Sequence, residues 1–175
     1  MSADALSIDI VMESPLWAEA PEAEAVLREA LATAAAVLST SPAELAIVLT
    51  NDSAIRRLNR DWRGIDKPTN VLSFPIQETP GSITAAAPSA PLVLLGDIVI
   101  AFETTMQEAR AESKRFEDHL AHLAVHGFLH LVGQDHENDR DAEAMEGLER
   151  SILARLGISD PYAARDSLST AENHA

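Results

Sequence analysis

Apolar residues recur with two different periods along the chain, and each period predicts one kind of secondary structure. Alternation of Ile8, Ile10 and Met12 with their neighbours predicts a first strand. The apolar runs at 45–50 and 92–102 predict two more strands, and a short one is expected at 71–74, where Pro75 ends it. The sequence therefore predicts a small sheet.

Apolar residues at helical spacing fill the segments between and after these strands. They predict helices over residues 22–38 and 103–132, the second one broken near Ser113. A last amphipathic helix is expected over 139–156, capped by Gly157. Strands and helices mix without strict βαβ alternation, so we expect an α+β fold in which helices pack on a small mixed sheet.

The composition is that of an ordinary globular domain. Of 175 residues, 46% are hydrophobic and 23% are charged, which suits one domain, placed at residues 1–166. Residues 77–91 are rich in Pro, Ala and Ser and are expected to form a surface insertion, and the polar residues 167–175 to form a tail. The N-terminus does not resemble a signal peptide, and no apolar run reaches the ~18 residues of a membrane span. We therefore expect a cytoplasmic protein with no membrane partner.

Acidic residues outnumber basic ones, 28 against 13, and the formal net charge is −15. This charge argues against a general nucleic-acid binder, whose domains are usually basic. Several cations are nevertheless concentrated in a helix expected to begin at Ser53, capped by Asn51 or Asp52, and in the loop after it. They are Arg56, Arg57, Arg60, Arg63 and Lys67. This stretch is either a solvated helix face or a local patch that contacts an RNA phosphate chain.

Three histidines near the end of the long predicted helix have the spacing of a metal site. His126 and His130 are four residues apart and so share one helix face, with Cβ atoms ~5–6 Å apart. Gly133 can end the helix in a left-handed conformation, so that the chain turns back and brings His136 to the same ion. Because the chain has no cysteine, histidine and carboxylate are the available zinc ligands. Three nitrogen ligands leave a fourth position open, which is typical of catalytic zinc, and we expect one zinc ion per chain.

The same spacing occurs in the metzincin protease signature, H-E-x-x-H-x-x-G-x-x-H. In those enzymes the residue after the first histidine is the glutamate that serves as general base. Here it is Gly127, which cannot transfer a proton. A metalloprotease with a displaced base is therefore the weaker alternative. A non-catalytic module, in which zinc staples the fold and the basic stretch docks on a partner, is a third hypothesis.

Other polar residues near this segment have more than one interpretation. Asp135 either hydrogen-bonds a ligand imidazole from behind or caps the turn at Gly133. His122, one turn before His126, is either such a supporting partner or a core residue. Asp97, in an apolar strand, is either an exposed alternation position or a buried group that needs a partner.

The motifs resemble those of the YbeY family of bacterial endoribonucleases. The segment HGFLHLVGQDH (126–136) is similar to the family signature H-G-x-L-H-L-x-G-[YF]-D-H, with Gln134 where an aromatic residue is common. The segment RGIDKPTNVLSFP (63–75) resembles a second family block, and LGDI (95–98) and DPY (160–162) resemble two smaller ones. The resemblance extends from about residue 45 to residue 162.

This resemblance implies a zinc-dependent, single-strand-specific endoribonuclease that acts in 16S rRNA 3′-end maturation and ribosome quality control. It implies zinc at the three histidines and a functional arginine at Arg63. The implied partners are ribosomal RNA within the small ribosomal subunit, a small-subunit ribosomal protein and an Era-type GTPase. For the non-catalytic module, the implied docking partner is the ribosome. The chemistry is compatible, because an arginine fork beside zinc can stabilise the charge that develops on a phosphodiester. We therefore take Arg63 as the catalytic candidate; otherwise it forms an ion pair with a carboxylate such as Asp66.

Overall fold

The computed structural model describes residues 6–40, 42–76, 93–134 and 138–162. These ranges contain four strands, five α-helices and a short 3-10 helix at Pro15–Glu19. The strands are β1 (Leu6–Met12), β2 (Ala43–Thr50), β3 (Val71–Pro75) and β4 (Val93–Ala101). The helices are α1 (Ala23–Leu38), α2 (Asp52–Arg63), α3 (Phe102–Ala111), α4 (Phe116–Leu131) and α5 (Asp139–Arg155).

The strands form one mixed sheet in the order β1-β2-β4-β3. The β1–β2 and β2–β4 pairs are parallel, whereas β3 runs antiparallel to β4. Strands β2 and β4 are therefore central, and β3 is an edge strand on the opposite side of the sheet from β1. The predicted α+β fold with a small mixed sheet is confirmed.

Apolar groups pack on both faces of the sheet because its central strands are apolar at successive positions. Ile47 and Ile98, paired across β2 and β4, belong to the main core together with α1, α4 and α5. On the opposite face, Val99 packs with Leu72 and with Ile55 of α2. The helix α4 thus lies on one side of β3 and β4, and α2 lies on the other.

The break expected near Ser113 separates α3 from α4. Ser113 has a φ of 55°, a left-handed conformation that interrupts a helix. At the other end of the segment, Gly133 has a φ of 96°, and its N–H donates to the carbonyl of His130. Both predicted turns are therefore confirmed, and they fix the length of α4.

The N-termini of α2 and α3 are joined by reciprocal hydrogen bonds. The N–H of Asp52 donates to Glu103 Oε1 over 2.9 Å, and Asp52 Oδ1 accepts from the N–H of Thr104 over 3.1 Å. Asn51 is the N-cap of α2, since its Oδ1 accepts from the N–H of Ala54. Each helix therefore helps to cap the other, which holds α2 in place relative to the sheet.

Several predictions concern residues outside the described ranges or are left untested by them. The expected insertion at 77–91 and the tail at 167–175 lie outside the described residues, and the boundaries of the single domain stay a prediction. Within the described part of the chain, no helix has both the length and the apolar character needed to span a membrane.

Candidate metal centre

Helix α4 presents a row of histidines to one cleft. His119, His122, His126 and His130 all line this cleft, which has a volume of about 910 Å³. Arg63, at the end of α2, lines it as well. Because α2 and α4 lie on opposite faces of the sheet, the two reach a common cleft only at the β3 edge. The cleft therefore brings Arg63 and His126 together, although they are 63 positions apart in the sequence.

The imidazole rings of His126 and His130 meet edge-on, with their Nε2 atoms close together. Their Nε2 atoms are 3.1 Å apart, and the ring centroids are 4.6 Å apart. Two nitrogens that share a tetrahedral zinc ion at ~2.0–2.1 Å are separated by about 3.3 Å. The observed spacing thus fits a shared metal ion with only a small adjustment of the rings.

A buried carboxylate on α5 supports this pair from behind. Glu149 is 1% exposed, and its Oε1 accepts a hydrogen bond from His126 Nδ1 over 2.9 Å. Its Oε2 accepts from His122 Nε2 over 2.7 Å and from the Tyr162 hydroxyl over 2.6 Å. Burial by itself would raise the pKa of Glu149, but the hydrogen bonds from His122, His126 and Tyr162 lower it to about 2. The carboxylate is therefore ionised at neutral pH.

The ionised Glu149 determines which nitrogen of His126 carries the proton. A carboxylate only accepts hydrogen bonds, so His126 must carry its proton on Nδ1. In the neutral ring the Nε2 lone pair then points towards His130, as a metal ligand requires. The carboxylate–histidine arrangement is the one that usually supports a metal-binding imidazole.

The third predicted ligand, His136, lies outside the described residues, as does Asp135. Accordingly, within the described ranges no group of three or more His, Cys, Asp or Glu residues forms a metal site. The assignment of His126, His130 and His136 as ligands stays a prediction, which the first two support by their geometry. The structure places His122 against Glu149, on the same carboxylate as His126.

The predicted cations divide into two groups. Arg63 lines the cleft, whereas the other four, Arg56, Arg57, Arg60 and Lys67, are exposed on and after α2 and do not line it. Asp66, the partner considered for Arg63, instead accepts from Arg56 Nε over 2.9 Å. This hydrogen bond lowers the pKa of Asp66. Asp66 is therefore paired with Arg56, and Arg63 shares the lining of the cleft with the histidines.

A second hydrogen-bonded network in the cleft went unnoticed in the sequence. Glu108 Oε1 accepts from Asn70 Nδ2 over 2.8 Å and contacts His119 Nε2 over 2.9 Å. Burial would raise the pKa of Glu108, but these contacts lower it overall. All three residues line the cleft. The network joins α3, α4 and the start of β3 along one wall.

Glu149 was not among the predicted site residues, although its position in the sequence indicates a special role. It falls on the apolar face of α5, four residues after the buried Met145 and three before the buried Ile152. A charged residue at such a position is unusual unless it is paired. Asp97, by contrast, is exposed, so it is an alternation position and needs no buried partner.

Gly127 packs closely against the sheet, so a larger side chain at this position would require its neighbours to shift. A Cβ at this position would lie 3.1 Å from both Ser73 Oγ and Ile98 Cγ2, and Ser73 Oγ donates to the Gly127 carbonyl over 3.1 Å. The position where a metzincin carries its base thus faces β3 and β4 at close range. This packing argues against the metalloprotease alternative.

The family model for Endoribonuclease YbeY matches residues 13–157 of the chain. The chain belongs to this family. A YbeY protein of Rhodopseudomonas palustris strain BisB18 is 53% identical over 160 residues, which are 90% of this chain and 93% of the relative. One from Bradyrhizobium diazoefficiens is 54% identical over 159 residues, 90% of this chain and 85% of the relative. Both relatives carry the name Endoribonuclease YbeY.

A solved structure agrees with the fold of this YbeY-family chain. The solution structure of TM1509 from Thermotoga maritima superposes with a TM-score of 0.54 and 24% identity. The match covers 89% of this chain and 98% of the other. At this identity the likeness concerns the fold alone. The resemblance drawn from the motifs is therefore confirmed at the level of family and fold.

Proposed function

We propose that the chain is a zinc-dependent endoribonuclease that cleaves single-stranded RNA, in 16S rRNA 3′-end maturation and ribosome quality control. One observation carries this proposal: the paired imidazoles of His126 and His130 and the guanidinium-bearing Arg63 line one cleft. Membership of the YbeY family supports RNA as the substrate, since relatives that are more than 50% identical bear the name of an endoribonuclease.

His126, His130 and His136 would hold the metal ion. When bound, zinc supplies a Lewis acid that polarises phosphoryl oxygen and activates water at neutral pH. Glu149 contributes by keeping the Nδ1 proton on His126 and by fixing the plane of its ring. The protein's part is thus to hold the imidazoles of His126 and His130 close to the geometry that a metal ion requires, so that only a small adjustment of the rings is needed on binding.

Arg63 would bind the phosphate that is cut. Cleavage of a phosphodiester concentrates negative charge on the nonbridging oxygens, and a guanidinium can donate two parallel hydrogen bonds to them. Arg63 is the last residue of α2, and Gly64 after it takes a φ of 73° and ends the helix. The end of α2 therefore brings Arg63 into the lining of the cleft.

The cleft also suits a single strand better than a duplex. Bases of single-stranded RNA can be splayed out and accommodated individually, whereas those of a duplex are stacked and paired. The net charge of −15 would repel RNA from most of the surface. Attraction is then confined to the side that carries the cations of α2, which favours selective over general binding.

The proposal is tested by metal analysis together with cleavage of a single-stranded RNA from the 16S 3′ end and of the matching duplex. We expect about one zinc per chain and cleavage of the single strand alone. His130→Ala should lose both metal and cleavage, whereas Arg63→Ala should keep the metal and lose cleavage. A protein that binds zinc but cuts neither RNA would support the non-catalytic module and overturn the proposal.

The expected partners and location follow from the same proposal. We expect the protein to act on the small ribosomal subunit in the cytoplasm, with a small-subunit ribosomal protein and an Era-type GTPase as partners. Co-sedimentation with small subunits, lost when the basic residues of α2 are replaced, is the corresponding measurement.

A further inference from the structure

The two tryptophans of the chain have opposite environments. Trp17 is fully buried, and its Nε1 donates to the carbonyl of Thr50 over 2.9 Å. Trp62 is 72% exposed, the highest value among the exposed large apolar residues that the structure describes. Single exposed apolar residues are common on protein surfaces, but a tryptophan exposed to this extent offers a large aromatic face to a ligand.

Trp62 does not line the cleft itself but lies beside it, on the α2 side of the β3 edge. Its ring lies against Phe74 in an edge-on arrangement, with 5.9 Å between the centroids. Phe74 belongs to the edge strand β3, and its neighbours Ser73 and Pro75 line the cleft. Arg63, the residue after Trp62, lines it too. A chain that leaves the cleft beside Arg63 and crosses the edge of β3 would therefore meet Trp62.

The surface beyond Trp62 is positive, although the protein as a whole has a net charge of −15. We call this surface the α2 face. It consists of the exposed residues Arg56, Arg57, Arg60 and Lys67. The ion pairs of Arg56 with Asp66 and of Arg60 with Asp61 are solvent-exposed, so they contribute little and can be exchanged for phosphate. The charge of this face is complementary to a polyanion.

We propose that Trp62 stacks on a base of single-stranded RNA that leaves the cleft past Arg63 and continues along the α2 face. This inference rests on the proposed function and adds a base-binding position to it. An aromatic ring beside backbone-binding cations is the combination that single-strand binding proteins use, because every base has a π face. The edge-on contact with Phe74 restrains the Trp62 ring while leaving its outer surface open.

Intrinsic fluorescence tests the contact directly, since Trp17 is buried and Trp62 is not. A 12-nucleotide 2′-O-methyl oligouridylate should quench the emission of the zinc-loaded protein, and Trp62→Phe should abolish the quenching. The same oligomer with abasic sugars keeps the phosphates but not the bases, and it should bind without quenching. Binding of the oligouridylate with no change in Trp62 emission would overturn the proposal.

Cleavage kinetics provide the second measurement. Trp62→Ala should raise KM for the single-stranded RNA by about 5- to 150-fold, the usual effect of losing one stacked base, with little change in kcat. Trp62→Phe should lie close to the wild type, and Trp62→Leu close to Trp62→Ala. Met12→Ala, at an exposed site on β1 at the opposite edge of the sheet, is the matched control and should change nothing.

The outcomes separate this inference from the proposed function. A wild-type protein that cuts RNA with the same KM as Trp62→Ala would refute stacking and leave the nuclease assignment intact. A Trp62→Leu variant with the KM of the wild type would show that an apolar contact suffices at this site and would equally refute stacking. A wild-type protein that fails to cut RNA at all would refute the proposed function itself.

Discussion

Replacing Glu149 by glutamine isolates the contribution of one buried carboxylate to the proposed metal binding. The substitution keeps the shape of the side chain but removes its charge and one of its two acceptor oxygens. In the native site these oxygens accept hydrogen bonds from His126 Nδ1, His122 Nε2 and the Tyr162 hydroxyl. The glutamine can turn its carbonyl towards only one side. Its NH₂ group then faces a donor on the other side.

The size of the effect can be worked from these contacts. A hydrogen bond to a charged group contributes about 1.5–3 kcal/mol, and one between neutral groups about 0.5–1.5 kcal/mol. Loss of the charge on Glu149 therefore weakens its bond to His126 by about 1–2 kcal/mol. If this bond orients the ligand, zinc affinity should fall by a similar free energy, about 5- to 30-fold. Losses of 10–100-fold are usual for partners of ligand histidines.

The assay is a competition titration of zinc against a chromophoric chelator, with circular dichroism to verify the fold. Glu143→Gln is the matched control, because Glu143 lies on the same helix but is exposed. It should leave the zinc Kd unchanged. A folded Glu149→Gln protein with the Kd of the wild type would refute the positioning role of Glu149.

Three other predictions concern Arg63, Gly127 and the pH dependence of Glu149. Arg63→Ala should retain zinc and lower kcat for RNA cleavage by about 10²–10³-fold, and Arg63→Lys should not restore it, since lysine lacks the two-pronged donor geometry; activity close to that of the wild type in either variant would contradict this role. Alanine is favoured over glycine within a helix by about 1 kcal/mol, but Gly127→Ala should bring no such gain in the free energy of unfolding, because its Cβ would lie 3.1 Å from Ser73 Oγ and Ile98 Cγ2; a urea titration midpoint raised by the full gain would show that these neighbours shift at no cost. The folded-state pKa of Glu149 is about 2, below its ordinary value of 4.5. The ionised carboxylate therefore contributes fully to the free energy of unfolding above pH 4.5, and this contribution should be lost as the pH falls towards 2. The free energy of unfolding of Glu149→Gln should fall less over that range than that of the wild type, and an equal fall would contradict this contribution.

Those features of the fold that depend on a single helix, strand or turn could be predicted from local signals in the sequence. The period of two in the first strand, the interruption at Ser113 and the glycine after α4 are each visible within a few residues. The order of the strands was beyond such signals. The placement of β4 between β2 and β3 depends on pairings such as Ile47 with Ile98, which are 51 positions apart.

The candidate site shows the same division. His126 and His130 share a helix, so their spacing alone predicts that the two rings meet. Glu149 comes from a different helix, and its contact with His126 depends on how α5 packs on α4. Its position within the apolar face of α5 was the available signal. Tyr162 has no periodic signal of its own, since it follows the last helix, and its bond to Glu149 appears only in the packed structure.

The most direct test of the metal centre is X-ray absorption at the zinc edge on the zinc-loaded protein. We predict three imidazole nitrogens at about 2.0–2.1 Å, with His126→Ala and His136→Ala each removing one of them or losing the metal. A spectrum with four protein ligands, or one that stays unchanged when either histidine is replaced, would contradict an open site built from these residues.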